Sequence, residues 1–199
     1  MSESKQPPSP LRHVKQVEVS LPGWIDEVVD WSRQYQSDEE KMALAIELSR
    51  QNVERDSGGP FGTAIFDMDT GQLLGVGVNQ VMAANNSTLH GEVMAIMMAE
   101  AALESFSLSA NDKRCELFTS CEPCAMCMGA TLWSGVKRLV CGATGEDARA
   151  IGFDEGPVFA ESYRYLARAG LDVIKQVKRE EARRVLSSYV VRGGKIYNG

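Results

Sequence analysis

The chain has 199 residues, 44% hydrophobic and 24% charged, with a net charge of −6 and a pI near 5.1. That is enough to bury one core, but no stretch approaches the ~20 apolar residues of a membrane span, and five cysteines are too few for a disulfide scaffold. Met1–Pro10 is polar and lacks the apolar run of a secretory signal, and the acidic balance argues against a nucleic-acid partner, which needs a basic face; a cytoplasmic, single-domain protein is expected.

Residues 1–22 read as an arm, with Pro7, Pro8 and Pro10 followed by VKQVEVSLPG, a candidate short strand. The expected domain is 23–199. Trp24–Ser32 has helical spacing, with Trp24, Val28 and Trp31 on one side. Ser37–Asp38 caps a stronger helix that buries Met42, Leu44, Ala45, Ile46 and Leu48, and Ser57–Gly58–Gly59–Pro60 breaks it. Phe61–Asp67 and Leu73–Val81 form a hairpin about Asp69–Thr70–Gly71. After a polar loop, His90–Phe106 is a long helix, Cys115–Thr119 a strand, Cys124–Ser134 a helix and Arg138–Gly142 a strand. Gly142–Pro157 is the one linker-like segment, and Leu171–Lys175 with a charged helix over Lys178–Tyr189 closes the pattern. Interleaved helices and about five strands predict an α/β fold, a three-layer α-β-α sandwich around a mixed sheet.

Two short motifs carry chemistry. In Pro123–Cys124–Ala125–Met126–Cys127 the cysteines lie three apart at a helix start, so both sulfurs leave one face, and the positive end of the helix favours thiolate. Pro123 suits the first turn, where no N–H is missed. His90 offers a third ligand, and three ligands leave one tetrahedral position open, the catalytic rather than the structural arrangement for Zn2+. Glu92, two residues past His90, is free of the metal and placed to move protons.

The same residues admit other uses. Cys124 and Cys127 could be a redox pair, or could join Cys121 or Cys115 in a closed structural site. Cys115 and Cys141 read as core residues and Cys121 as a neighbour of the site. His13 reads as surface. Lys178–Arg184 reads as a solvated helix face and Met94, Met97 and Met98 as packing. A zinc-stabilised binding module without turnover has no need of the carboxylate at Glu92.

His-x-Glu followed by Pro-Cys-x-x-Cys is the signature of zinc nucleobase deaminases. With Gly58-Gly59-Pro60-Phe61-Gly62, Asn79, Trp133 and Ile151-Gly152-Phe153-Asp154-Glu155, the chain resembles the guanine deaminases of the cytidine-deaminase-like superfamily over roughly Ser37–Glu155, and more weakly at Gly194–Asn198. The resemblance implies a small-molecule nucleobase substrate, guanine, with His90, Cys124 and Cys127 on zinc and Glu92 as the catalytic acid–base. It implies substrate contacts from Gly91, Asn79 and Glu155, and apolar faces from Phe61 and Trp133. Glu155 would accept the N1–H and 2-amino donors of guanine; some shorter relatives carry Asp there, which leaves Asp154 as an alternative reader. The resemblance also implies a homodimer, some relatives exchanging C-terminal segments, with Tyr197 able to cap a neighbour's pocket. Deamination of adenosine in tRNA, or of an aminotriazine, cytosine or a nucleoside, are the competing readings.

Overall fold

The computed structural model describes residues 13–198, so Pro7, Pro8 and Pro10 of the expected arm lie outside the described residues. The strands form one five-stranded mixed sheet in the order β2-β1-β3-β4-β5. Here β1 (Gly62–Asp67) is antiparallel to β2 (Leu73–Val78) and β3 (Cys115–Cys121). The sheet continues in parallel through β4 (Arg138–Ala143) and β5 (Asp172–Ile174).

Successive strand residues face opposite ways, so each strand feeds two cores. Ala64, Phe66, Val76, Phe118 and Val140 meet α2 (Asp38–Glu54) and α8 (Arg179–Val191) on one side. Ile65, Leu117, Leu139 and Cys141 meet α4 (Gly91–Ala102) and α5 (Ala125–Ser134) on the other. This is the three-layer α/β sandwich expected.

Local chemistry explains where the elements begin. A capping box starts α2: the Ser37 hydroxyl accepts the Glu40 N–H at 3.2 Å while the Glu40 carboxylate accepts the Ser37 N–H, an arrangement worth about 1 kcal/mol. The α2 face also carries a buried ion-pair network, Lys41 with Glu116 and Arg138 with Glu116 and Asp38. On the opposite face the backbones of β2 and α4 touch. A Cβ on Gly77 would stand 2.1 Å from the Gly91 carbonyl oxygen, and one on Gly75 would stand 2.7 Å from the Ala99 nitrogen. These two glycines let the start of α4 lie flat against the sheet.

Three expectations change. Residues 14–22 form no strand: Val14 and Val17 are exposed, and the segment has no strand partner, although Leu21 packs half-buried against the core. The first helix shrinks to α1 (Ile25–Val28), because the Asp30 carboxylate accepts both the N–H and the O–H of Ser32 in a turn that competes with helix. The Gly142–Pro157 linker contains α6 (Gly145–Ala150), started by a Thr144–Asp147 capping box. Beyond it lies α7 (Ala160–Arg168), and a short α3 (Val81–Ala84) follows β2. No helix among the described residues is long and apolar enough to cross a membrane.

Candidate active site

Two helix starts meet at one rim of the sheet. His90 is the N-cap of α4, Cys124 the N-cap of α5, and Cys127 lies in the first turn of α5. Their donor atoms all lie within 4.8 Å of one another, and His90 Nδ1 is 3.5 Å from each sulfur. These three residues are positioned to hold a metal ion, and among the described residues no fourth His, Cys, Asp or Glu joins them. Cys121 instead donates its S–H to the Thr144 carbonyl oxygen at 3.4 Å, and Cys115 and Cys141 are buried in the sheet.

The electrostatics favour ligation. The Cys124 thiol is pulled down to about 4, chiefly by the hydrogen bond from Cys127 and then by His90, while the same contact pushes Cys127 up. Cys124 is thus held toward the thiolate, the form that ligates a metal. Glu92, in the first turn of α4, is buried, and burial raises its carboxyl above the ordinary value. Its Oε1 accepts the Thr119 hydroxyl at 3.2 Å.

The loop between α6 and α7 brings Glu155 to the same place. Its carbonyl oxygen accepts the Ala125 N–H at 3.0 Å, next to Cys124. The Glu155 carboxyl is pushed up to about 8, first by burial and then by the negative charges of Cys124 and Glu92. Asp154 is exposed beside it, so Glu155 is the carboxylate that faces inward. The loop is clasped by the chain end: Asn198 accepts the Asp154 N–H at 2.8 Å and donates to the Gly152 carbonyl at 2.9 Å.

His90, Glu92, Cys124 and Glu155 line one cavity of about 40 Å³, with Phe61, Phe153 and Tyr197 as its apolar side. Phe153 meets Phe61 edge-on at 5.0 Å and Tyr197 at 5.2 Å. Tyr197 thus packs over its own chain's site. Its hydroxyl approaches so closely that a Cβ on Gly59 would stand 2.0 Å away. Asn79 lies beside Gly59 behind this ring, its Nδ2 buried with no hydrogen-bond partner, and Gly91 rests on Thr63 of β1.

Trp133 does not belong to this group. At the far end of α5 it is 83% exposed and lines no part of the cavity, contrary to the sandwiching role expected. Sequence reasoning also missed Thr119, Phe153 and Glu122. The Glu122 carboxylate accepts the Tyr163 hydroxyl at 3.0 Å and pairs with Lys175 at 3.2 Å, tying α7 and the end of β5 to the turn before Cys124. Its place beside Pro123 was the available signal.

Residues 35–143 match the model of the cytidine and deoxycytidylate deaminase zinc-binding region. Guanine deaminase from Bacillus subtilis is 38% identical over 117 residues, 59% of this chain and 71% of the relative. A tRNA-specific adenosine deaminase from Haemophilus influenzae is 31% identical, covering 76% of this chain and 82% of that protein. A solved structure of guanine deaminase from Nitrosomonas europaea superposes with a TM-score of 0.85 at 37% identity, over 90% of this chain and 99% of that one. The donors that converge at the rim fall within the matched span, and the chain belongs to the cytidine and deoxycytidylate deaminase family.

Proposed function

We propose that this protein is a cytoplasmic, homodimeric zinc aminohydrolase that converts free guanine and water to xanthine and ammonia. The observation that carries this reading is the inward carboxyl of Glu155 in the cavity that Glu92 and two of the three metal donors, His90 and Cys124, also line. The fold and sequence likeness to guanine deaminases of two bacteria supports the same substrate.

The donor set suits zinc. Tetrahedral zinc with bonds of ~2.0–2.1 Å to nitrogen and ~2.3 Å to sulfur separates these ligands by about 3.6 Å, close to the 3.5 Å between His90 Nδ1 and each sulfur. When bound, zinc supplies the Lewis acidity that makes water a nucleophile at neutral pH.

The remaining work falls to the chain's own residues. Burial and the charges of Cys124 and Glu92 hold the Glu155 carboxyl up. With the Cys124 charge offset by bound metal, the Glu155 carboxylate accepts the N1–H and 2-amino donors of guanine, and Phe61 and Phe153 give the flat ring an apolar wall. Tyr197 packs over this cavity beside Asn79, whose side-chain amide has no partner, so displacing its ring would open both to a purine. Glu92 takes a proton from water as the oxygen bonds to C2, and delivers it to N3. It then moves the new hydroxyl proton to the amine, which leaves as ammonia because expulsion of an amide ion is prohibitive. The homodimer is supported by Met97, Met126 and Trp133, exposed apolar residues on the neighbouring helices α4 and α5.

The test is ammonia release from a panel of guanine, adenine, cytosine, nucleosides, aminotriazines and tRNA. Release from guanine is expected; release confined to tRNA adenosine would replace this reading with that of the tRNA-acting relatives. Glu92→Gln keeps size and hydrogen bonding but cannot shuttle protons, so it should hold metal and lose at least ~10²-fold in turnover. A Glu92→Gln protein within tenfold of wild type would sink the mechanism.

A further inference from the structure

We infer that Thr119, backed by Thr63, is a positioning residue that orients the Glu92 carboxylate for proton transfer; the inference rests on the role proposed above for Glu92. A glutamate at a helix start has three side-chain torsions and can swing widely. The hydrogen bond that reaches Glu92 from the sheet is the one donated by the Thr119 hydroxyl to Oε1, at 3.2 Å.

The sheet places this donor by register. Thr119 on β3 lies opposite Thr63 on β1, and both side chains stand on the face covered by α4. The Thr63 hydroxyl donates to the Thr119 oxygen across 3.4 Å, a long contact. A hydroxyl has a single proton, so with its oxygen facing the Thr63 donor, that of Thr119 is directed to Glu92. Threonine is also stiff at χ1, which fixes where the hydroxyl points. The first turn of α4 sits directly on this pair, since a Cβ on Gly91 would stand 3.1 Å from the Thr63 hydroxyl oxygen.

Packing does not account for these two residues. Both are buried on the side of the sheet where Ile65 and Leu117 are fully apolar, and valine would fill the same volume without a hydroxyl to satisfy. The hydroxyls have a use if one oxygen of Glu92 must be held so that the other faces the substrate. Oε1 is then the anchored oxygen and Oε2 the one that carries the proton.

The experiment compares Thr119→Val, Thr119→Ser and Thr63→Val for metal content, thermal midpoint, kcat and KM in ammonia release. Thr119→Val should keep its metal and leave KM within about twofold, while kcat falls about tenfold to hundredfold, the usual worth of a hydrogen bond to a charged group. Thr119→Ser should restore kcat to within about threefold, and Thr63→Val, acting through Thr119, should lose only severalfold. A residue with a merely structural role would lower the midpoint and leave kcat alone. Wild-type kcat in Thr119→Val, an equal loss in Thr119→Ser, or loss of metal in Thr119→Val would each overturn the assignment. If the wild type acts on an amino-heterocycle other than guanine, the same comparison on that base decides, because Thr119 acts on Glu92 and not on the base. A wild type that releases ammonia from nothing removes the role of Glu92 and this inference with it.

Discussion

Gly77→Ala tests how tightly the start of α4 is pressed on the sheet. Gly77 does not adopt positive φ, so alanine meets no backbone strain and the whole effect is contact. The new Cβ would stand 2.1 Å from the Gly91 carbonyl oxygen, 2.4 Å from the Ala95 nitrogen and 3.0 Å from the Met94 Cβ. Real Cβ atoms essentially never come closer than 3.0 Å, so strand or helix must retreat by about 0.9 Å. Backbone atoms form the two closest contacts, and no side-chain rotation relieves them. His90 and Glu92 flank Gly91, so the retreat reaches a metal donor and the proposed proton carrier together. Overpacking of this kind costs ~1–3 kcal/mol, and a misplacement near 1 Å costs on the order of 10²-fold in rate. At ~2–4 °C per kcal/mol for a chain of this size, the thermal midpoint should fall by roughly 2–12 °C. Ammonia release well below the midpoint reads the second effect separately. Gly75→Ala is the control: it presses on the Ala99 nitrogen at 2.7 Å, two turns further along α4, so it should lose stability and keep its turnover. Wild-type turnover in Gly77→Ala, or an equal loss of turnover in Gly75→Ala, would refute the reasoning.

Cys124→Ala should lose most of its metal, as measured by elemental analysis, because it removes the donor whose thiol lies at about 4; full retention would remove Cys124 from the site. Glu155→Gln should keep its metal yet lose about 5- to 150-fold in kcat/KM for guanine, since an amide donor facing a ring donor costs ~1–3 kcal/mol. Unchanged turnover would move base reading to another group. Asp147, on α6, is held down at about 2, first by the hydrogen bonds from Arg179. Its folded value lies below its ordinary 3.8, so its contribution is full above pH 4 and is lost as pH falls through about 2. Asp147→Asn should therefore lower stability at pH 7 by about 1–2 kcal/mol, after allowance for the exposure of Arg179. It should also flatten the loss between pH 4 and 2; denaturant titrations that stay parallel across that range would contradict this.

The metal half of the site was legible because its spacing is short and its chemistry is local. Cys124 and Cys127 share one turn, His90 and Glu92 share the start of another, and both helices begin close to where the motifs placed them. Trp133 failed for a geometric reason that the sequence already contained. Six residues past Cys127, at about 100° per residue, it points roughly 120° away from the cysteine's direction. Trp133 is exposed while Cys127 is buried. Thr119 was hidden because strand alternation shows only that it shares a face with Leu117, not that a glutamate from another element stands over it. The six residues of α6 carry too few apolar positions to display a helical period, and only its capping box marks it.

The family match stops at residue 143, at the end of β4, whereas Phe153, Glu155 and Tyr197 all come later in the chain. On the reading proposed above, the metal donors and the proton carrier lie in the matched span, and most of the wall facing the base lies in the segment after it. Local hydrogen bonds join the two halves: the Ala125 N–H to the Glu155 carbonyl, and Asn198 to Gly152 and Asp154. Such a division lets the loop change without disturbing metal binding, since none of the three donors sits on it. On that reading, the choice of base falls to Glu155, which stands after the matched span.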